Sequence, residues 1–386
     1  VTIDFADPEL IRNPYPALAE LRERGPVRWH DADRMWLAAS HATVRTVLRD
    51  RHFGRIWRDR EPAERFAPFN LLHRNQMMEN EPPVHTRLRS LVASAFARGH
   101  VTRLGPAIAA RARQLLDRAP DEFDLLADFA EPLAVDVIAE LLGVPGADRH
   151  LLRPWSAAIV RMYEPAPAPE TEERAVRASA EFAAYLRALA DDRRRRPRDD
   201  LLTHLVTARD GADRLTGDEL VASAILLLNA GHEASVNALG GGWVALWRHP
   251  AQLARVRADR GLIPSAVEEM VRYDPPLHLF VRTATSDVRV GDVTVPAGAR
   301  IAALLGAANR DPAVFAEPDR FDVGRDPNPH LGFGAGVHFC LGAPLARLEL
   351  RAGLAALLDE PLELSEEPEQ RPTFVLRAYR RVVVRR

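Results

Sequence analysis

The sequence predicts a mainly helical protein with a small β portion, and three observations carry that expectation. Apolar residues recur at the 3.6-residue helical period through most of the 386 residues, in segments rich in Ala, Leu, Arg and Glu. Alternating strand patterns are sparse and late. One long irregular stretch rich in Pro and Gly, Phe315 to Pro344, breaks the helical pattern, and loops that long inside a compact domain are usually functional.

Leu104 to Arg118, Leu133 to Leu142, Glu173 to Arg194 and Pro250 to Asp259 read as helices. Arg193 to Arg196 closes one of them, and because Asp191, Asp192, Asp199 and Asp200 flank it, the run reads as a solvated helix end rather than a polyanion patch. Thr216 and Glu219 form a capping box, and the helix it starts runs to about Arg248, before Pro250 stops it. Its first half, Val221 to Leu228, is apolar on all sides, which predicts burial at the centre of the molecule. In its middle stands Ala230-Gly231-His232-Glu233-Ala234-Ser235. A glycine inside a helix costs ~1 kcal/mol relative to alanine, and a carboxylate such as Glu233 within a buried helix costs more. Local inconsistency at such a place points to function. Later, Val288 to Val290 and Val293 to Val295 flank Gly291-Asp292 as a two-residue hairpin, and Val382 to Val384 reads as a terminal strand.

Composition narrows the function. With 47% hydrophobic and 27% charged residues the chain can bury a large core. The formal net charge is −2, and the strongly basic side chains are all arginine. No global field favours nucleic acid or an anionic membrane. The longest apolar stretch, Leu220 to Ala230, is broken by Ser223 and Asn229 and is too short to span a bilayer. The first residues lack a secretory pattern, so a cytoplasmic location is expected. The single cysteine excludes an internal disulfide and every metal site built from several cysteines. A lone cysteine is more often a buried small hydrophobe than a reactive group.

Its surroundings argue otherwise. Phe333-Gly334-Ala335-Gly336-Val337-His338-Phe339-Cys340-Leu341-Gly342 precedes a helical run from Ala343 to Leu358. The glycines allow tight turning and close approach to a flat ligand. Cys340 lands at the N-terminus of the following helix, where unpaired N–H groups and the helix dipole favour a thiolate. A single thiolate on such a loop suits an axial haem ligand, which pushes electron density onto iron and favours O–O cleavage.

This run resembles the cysteine-loop signature of the cytochrome P450 family, F-G-x-G-x-H-x-C-x-G, at every fixed position. Glu269-Met270-Val271-Arg272 resembles the family's E-x-x-R motif, and Pro318-Asp319-Arg320-Phe321 the segment whose Arg completes a Glu–Arg–Arg cluster. Ala230 to Ser235 resembles its distal oxygen-binding segment A-G-x-E-T-T. The resemblance covers essentially the whole chain and implies one domain over residues 1–386, a helical fold around haem b with small β-sheets.

By the same resemblance Cys340 is the iron ligand, in a loop opened by Phe333, and Gly231 lies on the distal side of the haem. His338, Arg282 and the pair His85 and Arg89 in H-x-x-x-R meet the haem propionates, a buried dianion that needs charge-assisted partners. Glu269, Arg272 and Arg320 hold the cysteine loop. One departure stands out: the family's distal threonine is replaced by Ala234, while Glu233 keeps the acidic position and Ser235 offers a hydroxyl one residue later. Neighbouring helix residues point about 100° apart, so the proton donor is expected first in a polar group of the substrate or a water it holds, and second in Ser235.

The implied activity is insertion of one oxygen atom from O2 into a small or medium-sized, largely apolar substrate. A macrolide-like secondary metabolite fits the departure at Ala234. Ferredoxin and ferredoxin reductase are the implied partners, since nothing in the chain resembles a flavin domain, a dinucleotide fingerprint or an iron–sulfur cysteine set. Two other readings stand beside it: a peroxygenase using H2O2, and a non-catalytic haem protein that binds a gas or recruits a partner. Substrate contacts are expected from Phe66 to Met78, Trp155 to Met162, Ile225 to Ser235, Leu277 to Val281 and Phe374 to Leu376, with the Pro165 to Pro169 run as a lid. His278 in its apolar stretch reads as a satisfied core histidine rather than a substrate contact.

Overall fold

The computed structural model describes residues 3–93, 98–163, 167–209, 211 and 213–386. The expected helices form, at Arg98–Arg118, Glu131–Leu142, Pro169–Arg195 and Pro250–Ala258. Helix Gly217–Arg248 is capped as its sequence requires: Glu219 N–H donates to Thr216 Oγ1 at 3.2 Å, and Thr216 N–H donates to the Glu219 carboxylate at 2.9 Å. Among the described residues no helix is long and apolar enough to cross a membrane. Pro165 and Ala166, in the expected lid, lie outside the described residues, and Pro169 opens the next helix at a position where its missing N–H costs nothing.

The chain groups into two compact units, one of Val1–Gly54, Gly105–Leu133 and Ala234–Arg386, the other of Arg55–Leu104 and Ala134–Glu233. The first holds a five-stranded sheet in the order Val27–His30, Met35–Ala38, Arg300–Leu304, Leu279–Ala284, Phe53–Gly54. The hairpin Val288–Val290 and Val293–Val295 turns on Gly291 at φ 61°, and the terminal strand is Val383–Arg385, paired with Glu122–Asp124. The early strands are a correction to the expectation that strands are late. Val27–His30 and Met35–Ala38 are four residues each, with burial that does not alternate, so no period-2 signal exists to be read.

Beneath this sheet lies a core of Val44, Val47, Leu48, Phe53, Val290, Ile301 and Leu305. Leu331 is buried in the same cluster, and Phe280 and Ala335 pack against it. The apolar surface that stabilises the sheet therefore also seats both the strand of Arg282 and the start of the cysteine loop.

In the second unit the arginine run departs from expectation. Arg193 is 1% exposed: it donates to Asp200 at 2.5 Å, to the Gly143 carbonyl at 2.6 Å and to Asp192 at 2.9 Å. Asp200 in turn caps helix Leu201–Thr207 by accepting from Thr203 N–H at 2.8 Å. The helical phase turns Arg193 inward while Arg194, Arg195 and Arg196 stay in solvent. Arg193→Ala strands a buried carboxylate and is expected to lower unfolding stability by ~3–5 kcal/mol. Arg194→Ala breaks only an exposed pair with Asp191 and should change it by less than ~0.5 kcal/mol. Urea unfolding of both variants measures the difference, and equal losses would contradict the assignment.

Candidate functional site

The cysteine loop is shaped by backbone bonds and by glycine. Gly334 N–H donates to Leu331 O at 2.8 Å, and Cys340 N–H donates to Phe333 O at 2.9 Å, closing the loop on itself. Gly334 and Gly336 both have φ 71°, a conformation that side chains with a Cβ rarely adopt. A Cβ on Gly336 would lie 2.3 Å from the Leu48 carbonyl oxygen, so the loop sits directly on the end of helix His41–Arg49. Phe280 lies 3.9 Å from where a Cβ on Gly334 would stand. The strand carrying Arg282 thus lies against the loop carrying His338 and Cys340. Cys340 is half-buried just before helix Ala343–Leu358, and Val337 and Phe339 beside it stay 47% and 40% exposed.

Two consecutive glutamates anchor this loop from helix Ile263–Tyr273. Glu269 and Arg272, both 0% exposed, form a two-pronged pair at 2.7 and 2.8 Å. The remaining Arg272 N–H groups donate to the carbonyls of Asn309 and Pro318 at 2.8 Å and of Arg320 at 3.1 Å. Asn309 Oδ1 accepts from Leu331 N–H at 2.7 Å, which carries the restraint into the cysteine loop. Glu268 accepts from Arg347 at 2.7 and 2.8 Å and pairs with His330 at 3.1 Å, and these partners pull its carboxyl well below the usual range against the effect of burial. Arg347 covers the Phe333 ring at 4.4 Å and lies close enough to Cys340 to interact with its charge.

The third member of the cluster is Arg325, not Arg320. Arg325 reaches Glu269 at 3.2 Å and donates to Ala316 O at 2.8 Å and Arg320 O at 3.0 Å. Arg320 contributes only its carbonyl; its guanidinium is 53% exposed and bonds Glu317. Phe321, fully buried next to it, takes the inward direction, and the adjacent side chain turns outward. Asp322 N–H and Asn328 complete the Glu269 shell at 2.8 and 3.2 Å.

The long helix Gly217–Arg248 is buried from Glu219 to Asn229 and again from Ser235 to Leu246. Between them protein leaves Ala230, Gly231, Glu233 and Ala234 uncovered or half covered, while His232 is buried. Ser235 turns inward, near Glu349 of helix Ala343–Leu358. His85 and Arg89 stand one turn apart on helix Val84–Ala93, His85 buried and Arg89 half-buried. The candidates thus fall into two sets. Cys340, His338, Arg282, Phe333, Ala234 and Ser235 belong to the first unit, and His85, Arg89, Gly231 and Glu233 to the second.

Segments expected to touch substrate also meet. Leu277 bridges Leu376 and His278 N–H donates to Val375 O at 3.0 Å, which joins the Leu277 to Val281 and Phe374 to Leu376 segments. His278 is 1% exposed and burial depresses its pKa, so it is a core histidine, but not the satisfied one expected: Asp274 is 3.6 Å away and neither ring nitrogen makes a hydrogen bond.

The donor set fits haem. Among the described residues no group of three or more His, Cys, Asp or Glu side chains is arranged to hold a metal ion. One half-buried thiol cannot hold a bare ion, but it suits an iron whose other ligands come from a macrocycle. A small-residue patch on an otherwise buried helix and the bases Arg282 and His338 suit a flat dianion.

Comparison with known proteins agrees. Residues 156–378 match the family model described as Cytochrome P450. The chain is 42% identical over 362 residues to the cytochrome P450 monooxygenase PikC of Streptomyces venezuelae, covering 92% of this chain and 85% of that protein. It is 39% identical to the 6-deoxyerythronolide B hydroxylase of Saccharopolyspora erythraea, covering 89% and 87%. The crystal structure of P450BioI with a hexadec-9Z-enoic acid-ligated acyl carrier protein superposes with a TM-score of 0.93 at 33% identity, covering 98% of this chain and 99% of that one.

Arg272→Ala should cost ~3–5 kcal/mol by leaving Glu269 buried and short of its main partner. Arg325→Ala, which removes one charged donor and leaves the pair, should cost ~1–3 kcal/mol. Arg320→Ala should change stability by less than ~0.5 kcal/mol. Thermal unfolding and haem content of the three variants check the order; an Arg320→Ala loss larger than that of Arg325→Ala would restore the sequence-based assignment.

Proposed function

The chain belongs to the cytochrome P450 family, and we propose that it oxygenates a medium-sized, largely apolar secondary metabolite of macrolide type, using a ferredoxin and an NAD(P)H-fed reductase in the cytoplasm. The reaction class is that of the family: the chain is a haem-thiolate monooxygenase that takes electrons from a separate redox partner. Bound haem b supplies the redox chemistry, by which one atom of O2 enters the substrate and the other leaves as water with two electrons and two protons. We take residues 1–386 as one catalytic domain.

The observation that carries the assignment is Cys340, presented half-buried at a helix start by a loop closed on itself. The N-terminal end of helix Ala343–Leu358 and the Arg347 cation favour its thiolate form. We assign the propionates to Arg282 and His338 together with His85 and Arg89, whose charge-assisted bonds offset the burial of a dianion. Glu268 and Glu269 keep the loop in register for the ligand. The peroxygenase and non-catalytic readings lose ground, since the relatives are named as a monooxygenase and a hydroxylase.

Macrolide-type specificity rests on Ala234. A proton donor must lie within ~3 Å, or one water, of the atom it serves. Alanine has none, so we assign the nearest donor to a polar group of the substrate or a water held by it. The purified chain with NADH and O2 alone should give no product, and adding ferredoxin and its reductase should start turnover. A substrate analogue lacking the hydroxyl near its oxidised carbon should divert NADH to H2O2. Product from the chain alone would contradict the partner assignment, and an analogue as well coupled as the substrate would contradict the role given to the substrate.

A further inference from the structure

His41 is a buried imidazole that the site, as described so far, does not use. It opens helix His41–Arg49, directly after the capping residue Ser40, whose hydroxyl accepts from Thr43 N–H at 3.2 Å. The first turn of a helix favours acidic or capping side chains, so a histidine there needs another reason. Its bonds supply one. His41 N–H, left over at the helix start, donates to Asp311 Oδ2 at 2.8 Å, and His41 Nε2 lies 3.0 Å from the Pro329 carbonyl oxygen. A carbonyl can only accept, so the imidazole carries its proton on Nε2 and donates it. The ring also meets Phe315 edge to face, with centroids 5.9 Å apart.

Pro329 lies where the approach to the cysteine loop is least able to hold itself. Pro327 and Pro329 have no N–H to give, and both are exposed, as is Asp326. The stretch is tied instead by the Asn328 amide, which donates to Glu269 at 3.2 Å, and by His41. Two residues after Pro329, Leu331 N–H donates to Asn309 Oδ1 at 2.7 Å. Asn309 and Asp311 stand two positions apart, so one short segment holds the loop directly and holds it again through His41. The other end of helix His41–Arg49 touches the loop as well: a Cβ on Gly336 would lie 2.3 Å from Leu48 O and 2.9 Å from Arg49 Cα. A helix of nine residues is ~13 Å long, and its two ends thus meet the chain at Pro329 and at Gly336.

Resting on the haem-thiolate reading above, we propose that helix His41–Arg49 is a second mount of the cysteine loop, beside the one built on Glu269, and that His41 is its positioning residue for the Cys340 thiolate. Glu269 restrains the loop at Leu331 through Arg272 and Asn309. The residues from Leu331 to Cys340 are closed on themselves by their own bonds, so a single attachment would let them tilt as one body, with Gly334 and Gly336 free to absorb the turn. Contacts at Pro329 and Gly336 fall on either side of Leu331 and Phe333 and remove that tilt. Tilting would carry Cys340 Sγ off its bonding position, and a thiolate without its metal takes up a proton. His41 never meets the reacting atoms; it acts through Pro329.

Glutamine and methionine are similar in length and volume, and only glutamine can donate to Pro329 O. In the haem-loaded protein, the red-shifted Soret band of the reduced carbon monoxide complex should decay severalfold faster in His41→Met than in the wild type, while His41→Gln stays close to the wild type. Amide hydrogen exchange at Leu331 and Cys340 should quicken in His41→Met and not in His41→Gln. A further measurement needs no variant. Nitrogen NMR of the imidazole rings in the diamagnetic carbon monoxide complex should place the His41 proton on Nε2 and find it slow to exchange with water. A side chain that only fills volume predicts equal decay and exchange in His41→Met and His41→Gln, and that equality overturns the proposal. So does a His41 proton on Nδ1, or one on Nε2 that exchanges freely. The imidazole measurement can be repeated on the haem-free protein, so its failure is distinct from a failure of the thiolate assignment, which would appear as a native complex without the red-shifted band.

Discussion

A carboxylate sealed from water, that of Glu269, is the constraint on which the cysteine side of the molecule is built. Taking such a group out of water costs several kcal/mol, and only close, well-directed charge-assisted bonds offset it. Arg272 supplies two of them, Arg325 a third, and Asp322 N–H and Asn328 the rest. The consequence is geometric. Satisfying Glu269 fixes Arg272, and satisfying Arg272 fixes the carbonyls of Asn309, Pro318 and Arg320. Through Asn309 to Leu331, Leu331 to Gly334 and Phe333 to Cys340, the same restraint ends at the sulfur-bearing residue.

That chain of bonds explains how an irregular stretch can serve as a rigid ligand mount. The segment from Phe315 to Pro344 has almost no regular secondary structure of its own, yet its polar groups are tied to helix Ile263–Tyr273 and to Asn309, and Leu331 and Ala335 to the apolar core. Glu268 adds a second tether through Arg347 and His330, and the Arg347 cation also stabilises negative charge on Cys340. Loop rigidity and thiolate electrostatics thus share one side chain. On the long helix the demands are reversed: Ala230, Gly231 and Ala234 are small and left uncovered or half covered, while His232 and Ser235 are buried beside them.

What the sequence discloses follows the range of the interaction. The capping box at Thr216 and Glu219, the Gly291 turn and the glycines around Cys340 are set by neighbours in the chain, and each is legible from a few letters. The strands Val27–His30 and Met35–Ala38 are stabilised by pairing with one another and with Arg300–Leu304, far away in sequence, and too short to leave a period. Arg320 and Arg325 are equivalent as letters; only the inward turn of Phe321 decides which guanidinium reaches Glu269. Arg193 looks like its three neighbours, and its contact with Asp200 depends on how one helix ends against the start of another. Glu349 sits in an ordinary-looking amphipathic pattern, and nothing in that pattern reveals that it is buried.

Everything assigned to this chain depends on Cys340 binding iron as a thiolate. The direct measurement is the Soret band of the reduced carbon monoxide complex in the native protein and in Cys340→Ser. Among the 386 residues no second cysteine exists to replace it. The native complex should absorb at the strongly red-shifted position that only a thiolate ligand produces, and Cys340→Ser should lose that band. A red-shifted band that survives in Cys340→Ser, or is missing from the native protein loaded with haem, would contradict the account.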